Sequence, residues 1–125
     1  MTGMHDEQKI TQYFLSLIGQ IKLLHWATTS YAKHKALDDL HGTLSDKVDL
    51  FVEAFIGRFK KQPLKHFTIE MKATSDTTKL EKYLESERDK IQGLLNAFEK
   101  QPELQNILEE IIAEFDKTLY LCNLS

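Results

Sequence analysis

The chain has 125 residues, 42% apolar and 28% charged, which suffices for one domain (residues 1–125) with a core that needs no disulfide or structural metal. Its formal net charge of −3, with no basic half or tail, argues against nucleic acid or an anionic membrane as the main partner. The lone Cys122 cannot close an internal disulfide, no apolar run reaches the roughly 18 residues of a membrane span, and the start MTGMHDEQ carries no signal pattern, so a reducing, cytoplasmic setting is expected.

Helical spacing dominates the chain. A first helix is expected from about Asp6 to Ala27, because Ile10, Phe14, Leu17, Ile21 and Leu24 recur at steps of four and three. His25, four residues after Ile21, continues that buried face. Thr28, Thr29 or Ser30 can cap the next helix. That second helix is expected from Tyr31 to Lys60, with the seam His34, Leu37, His41, Leu44, Val48, Phe51 and Phe55; Pro63 stops it.

From Lys61 to Asp76 the pattern changes to a period of two, with Phe67, Ile69 and Met71 alternating with Thr68 and Glu70. With no second strand to pair with, this reads as an extended connection. A third helix follows over Thr77 to Lys100, with Leu80, Leu84, Glu87, Ile91, Leu94 and Phe98 on its stripe and Glu87 as the polar exception. Pro102 suits the first turn of a fourth helix carrying Leu104, Leu108, Ile111, Phe115 and Leu119.

Four helices of similar length, each about 30–45 Å long, predict an all-α four-helix bundle. The links around residues 28–30 and 101–102 are short and make antiparallel neighbours. The link between helices two and three can extend to roughly 50 Å, the length of the bundle. One long crossover of that kind is a feature of ferritin-like bundles.

The inner faces carry unexpected polar residues. Asp38, Asp49 and Glu53 flank the apolar stripe of helix two. Asp49 and Glu53 are one turn apart and can hold one cation between two carboxylates. Asp38 and His41 form an i,i+3 carboxylate–imidazole pair, similar in form to the Glu-x-x-His of di-iron bundles. Each has a plainer explanation. A lone histidine on an apolar face is more often a hydrogen-bonded core residue, paired carboxylates are more often a solvated edge, Trp26 is most simply a core anchor, and Cys122 a small apolar residue.

Distance decides how such residues could act together. His34 and Asp49 are 15 residues apart, about 22 Å along a straight helix. Metal–ligand bonds are about 2 Å long. One chain therefore cannot bring both onto one ion. His25 and His34 can meet across the short turn, and Asp49 can meet Glu53. A complete site needs a second copy lying antiparallel about a two-fold axis, which makes such sites in pairs.

His25-Trp26, then His34, then Asp49 and Glu53 four residues apart resemble the Dps family, the bacterial mini-ferritins. The resemblance is clearest from Leu23 to Gly57. It implies a ferroxidase centre at a dimer two-fold, with the histidines from one chain and the carboxylates from its partner. Asp38 falls where the family has an acidic residue near the iron. The chain departs from the family in three ways. The His25–His34 gap is shorter, Asp6 and Glu7 stand where a basic DNA-binding tail is usual, and little follows helix four, so a twelve-subunit cage and iron storage are not implied. The stretch TTSYAKHKAL is also similar to small ferritin-like proteins encoded by phages and other viruses, which would place the protein in a host cytoplasm.

The expected function is therefore binding and oxidation of Fe(II) in a homodimer or larger self-assembly, at His25, His34, Asp49 and Glu53, with Asp38 and His41 in secondary roles. Imidazole with carboxylate suits iron, and also zinc or manganese, better than magnesium or calcium alone. O₂ or H₂O₂ as the oxidant is implied by the family. The alternative is a non-catalytic helical interaction protein in which His34 or His41 satisfies Asp38, and Lys47 or Lys60 satisfies Glu53. A third reading, nucleic-acid coating through Lys33, Lys35, Lys60 and Lys61, runs against the acidic balance.

Overall fold

A computed structural model describes residues 7–61 and 66–124. It contains four helices: α1 (Glu7–Ala27), α2 (Tyr31–Phe59), α3 (Leu80–Ala97) and α4 (Pro102–Asn123). Among the described residues there is no strand. The expected start of helix one at Asp6 and the stop at Pro63 lie outside the described residues.

Local chemistry sets the boundaries. Ser30, extended at φ −91° and ψ 121°, caps α2 by accepting a hydrogen bond from the Lys33 amide. Its own amide donates to Thr28 Oγ1, so the three-residue turn is internally satisfied. At the other end Lys60 turns left-handed (φ 55°) and returns its amide to the Ile56 carbonyl, a helix stop made without glycine. Helix α3 starts at Leu80, later than the sequence pattern indicates. Asp76 holds Thr78 in a tight side-chain turn there, an arrangement that competes with helix.

The apolar positions of the stripes form one core, with Leu119 packed against its edge, while His34 and His41 of the second stripe are only half-buried. Phe14, Phe51, Phe98 and Phe115 are its largest fully buried side chains. Phe51 stands edge-on to Phe14 at 5.8 Å and to Phe98 at 5.7 Å, favourable geometry for aromatic pairs. Helix α2 packs on α1 and α4, and α4 packs on α3. The starts of α2 and α3 meet through Lys33 and Glu81 (3.5 Å), and their ends through Phe55 and Phe98. Helix α4 begins beside the end of α2, where Arg58 pairs with Glu103, and Lys47 pairs with Glu110 one stage further along.

Glu87, the polar exception on the third stripe, is buried with 7% of its surface exposed. Tyr13 Oη donates to its Oε1 and Lys90 Nζ to its Oε2, both at 3.0 Å. Burial, reinforced by the Glu87 charge, pushes the phenols of Tyr13 and Tyr83 well above their ordinary pKa, so Tyr13 stays a donor. The carboxylate is thus a polar tie between α1 and α3.

The segment 66–79 is irregular and lies along α1. Three α1 side chains at one-turn spacing reach its backbone: Gln12 Nε2 to the Thr68 carbonyl, Ser16 Oγ to that of Glu70, and Gln20 Nε2 to that of Thr74. Thr74 returns its amide to Gln20 Oε1 at 3.0 Å. Met71 seats against Gly19, where an added Cβ would come within 2.9 Å of its Sδ. The period-two apolar pattern buries this strap only in part, for Phe67 is half-buried while Ile69 and Met71 remain exposed. Polar side chains of α1 hold it instead.

Gln20→Ala removes two hydrogen bonds from the strap. It should lower stability by about 1–2 kcal/mol in chemical denaturation. It should also speed protease cutting within residues 66–79 while leaving helical content unchanged.

Candidate metal centre

The last turn of a helix leaves carbonyls without partners. At the end of α1, Leu24 gives its carbonyl to the Thr28 amide, and the His25 carbonyl receives a side chain from α2: His34 Nδ1, at 2.8 Å. The arrangement is reciprocal, since His25 Nδ1 lies 2.8 Å from the His34 carbonyl. The two rings stack with centroids 3.9 Å apart and planes 21° from parallel. The Ser30 cap makes this possible by setting His34 one turn into α2.

The clasp fixes the tautomer of both rings. A carbonyl oxygen can only accept, so each Nδ1 carries the proton. In the neutral ring each Nε2 is then a bare lone pair. Metal-binding histidines have this arrangement, with the second nitrogen donating to a backbone carbonyl that orients the ring. His25 is 7% exposed and His34 half-buried, so the approach to the pair is limited.

Asp38, one turn beyond His34, brings Oδ1 to 3.9 Å from both His25 Nε2 and Lys22 Nζ. Lys22 was not singled out by sequence. It lies three residues before His25, on the same side of α1, and that spacing was the available signal. Its ammonium also sits over the Trp26 ring, 5.7 Å from the centroid. Trp26 is 68% exposed, so its expected place as a core anchor is overturned: one step past His25 the helix has turned it out of the core. Tyr31, also exposed, stacks on His34 at 6.4 Å. His41 is half-buried next to this group. Burial first, then the Lys22 charge, lower its pKa, against a smaller opposing pull from Asp38.

Asp49 and Glu53 lie in the other half of α2 and are both exposed. Neither forms a hydrogen bond or ion pair among the described residues. The expected partner Lys47 pairs with Glu110 at 3.1 Å instead of Glu53. Asp49 borders a groove of about 280 Å³ between α1 and α2, floored by Leu15, Ile18, Val48 and Val52. Among the described residues, no three His, Cys, Asp or Glu side chains gather closely enough in one chain to hold a metal ion. The structure therefore joins His25 with His34, puts Asp38 and His41 beside them, and keeps Asp49 and Glu53 apart as a second half.

The chain belongs to the Family of unknown function (DUF5856), whose model matches residues 25–122. It is also similar to an uncharacterized 14.6 kDa protein in the mobD-ri intergenic region of Enterobacteria phage T4. That protein is 29% identical over 102 residues, which cover 80% of this chain and 74% of the relative. No solved structure matches the chain. No helix among the described residues is long and apolar enough to cross a membrane.

His41 should titrate below its ordinary value of 6.5 when followed by NMR of its ring protons. Because the folded pKa is the lower one, the unfolded chain takes up the proton first as pH falls. The contribution of His41 to stability is then whole above pH 6.5 and is lost between 6.5 and the folded pKa. His41→Gln should flatten that part of the stability–pH curve in denaturant titrations.

Proposed function

We propose that this family member is a ferritin-like metal-binding protein that takes Fe(II) as substrate and oxidises it at sites shared between two copies of the chain. The observation that carries the reading is the His25–His34 clasp. It leaves two Nε2 lone pairs at one end of α2 and needs charged ligands to complete a site. Exposed and unpaired, Asp49 and Glu53 suit that role when supplied by a partner. Glu53 has the reach to bridge two ions, and Asp38 adds a nearby negative charge. Imidazole and carboxylate donors favour iron, with zinc and manganese as competitors for the same ligands. The electron released by each Fe(II) passes to O₂ or H₂O₂.

The helix arrangement supports a ferritin-like bundle. The starts of α2 and α3 lie together, and so do their ends, so the two helices run parallel, which supports a connection that traverses the bundle. The strap along α1 fits the long crossover of such folds. Similarity to a phage protein supports an origin in a phage and a working place in the host cytoplasm.

The absence of a three-donor cluster within one chain, among the described residues, favours a second reading, a helical interaction protein that uses the bundle without metal. The two readings differ in one measurable quantity, metal bound per dimer. Glu53→Ala is the clean variant, since Glu53 is exposed and forms no hydrogen bond or ion pair among the described residues, whereas His34→Ala also breaks the clasp. Anaerobic calorimetry with Fe(II) or Zn(II) should show tight binding by the wild type and at least a tenfold loss in each variant, with Glu53→Ala fully helical. Equal titrations of wild type and Glu53→Ala would rule the shared site out.

A further inference from the structure

We propose that Gly42 marks the crossing point at which two α2 helices meet across the two-fold axis, and that this glycine is there to let a second copy approach. The inference rests on the shared-site reading and adds to it the register and the contact. If His34 of one copy is to face Asp49 of the other on antiparallel helices, residue n faces residue 83 − n. The axis then falls between His41 and Gly42. At 100° per residue, His34, Ser45, Asp38, Asp49, Gly42 and Glu53 occupy one arc of about 100° on α2. Gly42 is exposed within that arc.

Within a single chain Gly42 has no packing role among the described residues. A Cβ built there meets nothing within 4 Å, and its φ is not positive. An interior helical glycine weakens its helix relative to alanine. Gly57 and Gly93 are also unobstructed, but each lies within about a turn of its helix end, where glycine is tolerated. Gly42 lies well inside α2, so its cost has no return in the monomer. Close approach of another backbone is a standard use of glycine.

The uneven distribution of donors and charge along this face selects a second copy as its occupant. Toward one end of it Lys22 and Lys35 are offset by Asp38, which Lys22 engages at 3.9 Å, and by the exposed Asp39, so that end is close to neutral and offers the imidazoles of His25 and His34. Asp46, Asp49 and Glu53 lie toward the other end, all exposed. Antiparallel docking brings unlike ends together twice, once on each side of the axis. Leu15 and Leu50, large apolar side chains left exposed, lie in the same region of α1 and α2. The two metal sites then sit roughly 22 Å apart, one on either side of the Gly42 crossing.

The test uses the full chain without metal. Gly42→Ala should raise helicity and melting temperature, as alanine does in an exposed helix interior. It should also weaken dimerisation about tenfold in sedimentation, because the added methyls collide at the axis. Gly42→Cys with Cys122→Ser should form an interchain disulfide under mild oxidation, since only a residue at the axis meets its own copy within disulfide reach. The same pair with Gly57→Cys should not. A linked, folded dimer that binds no Fe(II) would leave the register standing and sink the metal reading. A metal-loaded dimer that neither links at position 42 nor weakens with Gly42→Ala would sink the register alone. A wild-type monomer at all concentrations, with or without Fe(II), would overturn both.

Discussion

The rigidity of α2 governs what this protein can do. His34 and Asp49 stand on one uninterrupted helix, and about 1.5 Å of rise per residue keeps them roughly 22 Å apart. No rotamer change closes that gap. The same helix carries the core seam from Leu37 to Phe55, so it cannot bend to bring the two halves together without opening the packing around Phe14, Phe51 and Phe98. Any chemistry that needs both halves must recruit a second rod. The fold and the proposed assembly are in this sense one problem.

The clasp between His25 and His34 shows how a helix terminus becomes a ligand platform. Helix α1 ends with carbonyls in need of donors, and α2 supplies one from a histidine ring; α2 receives the same in return. Each ring satisfies a structural demand with one nitrogen and leaves the other for use. A histidine that is hydrogen-bonded in the core and a histidine that binds metal are therefore compatible roles here. The role of a bonded core histidine accounts for the two Nδ1 atoms; Nε2 of His25 faces Asp38 Oδ1 at 3.9 Å, and Nε2 of His34 forms no hydrogen bond or ion pair among the described residues.

Most of the fold was legible in the sequence because it rests on periodicity. The apolar stripes of the four helices predict most of the core, although His34, His41 and Leu119 on them are only half-buried and Leu40, Leu95, Ile107 and Ile112 join the core from beside them; the polar interruption at Glu87 is a bonded tie to Tyr13. Two features were not legible. The alternation of Phe67, Ile69 and Met71 points to an extended strap, yet its anchors are Gln12, Ser16 and Gln20, polar residues of α1 whose partners are backbone atoms some 54 to 56 residues away. Trp26 is expected inside as a core anchor, but its position is decided by the 100° turn after His25. Of the site, spacing gave the meeting of His25 with His34. It could not give the reciprocal bonding, which depends on the Ser30 cap and the three-residue turn, or the attachment of Lys22 to Asp38.

The shared site is tested most directly by complementation. His34→Ala and Glu53→Ala each break both sites of their own homodimer. When the two are unfolded together and refolded as an equal mixture, half of the dimers are mixed and each carries one intact site of two. The account predicts recovery of roughly a quarter of the wild-type tight Fe(II)-binding capacity, from two parents whose binding is at least tenfold weaker. A mixture that binds no more than its parents, although mixed dimers are detected by mass, would contradict it.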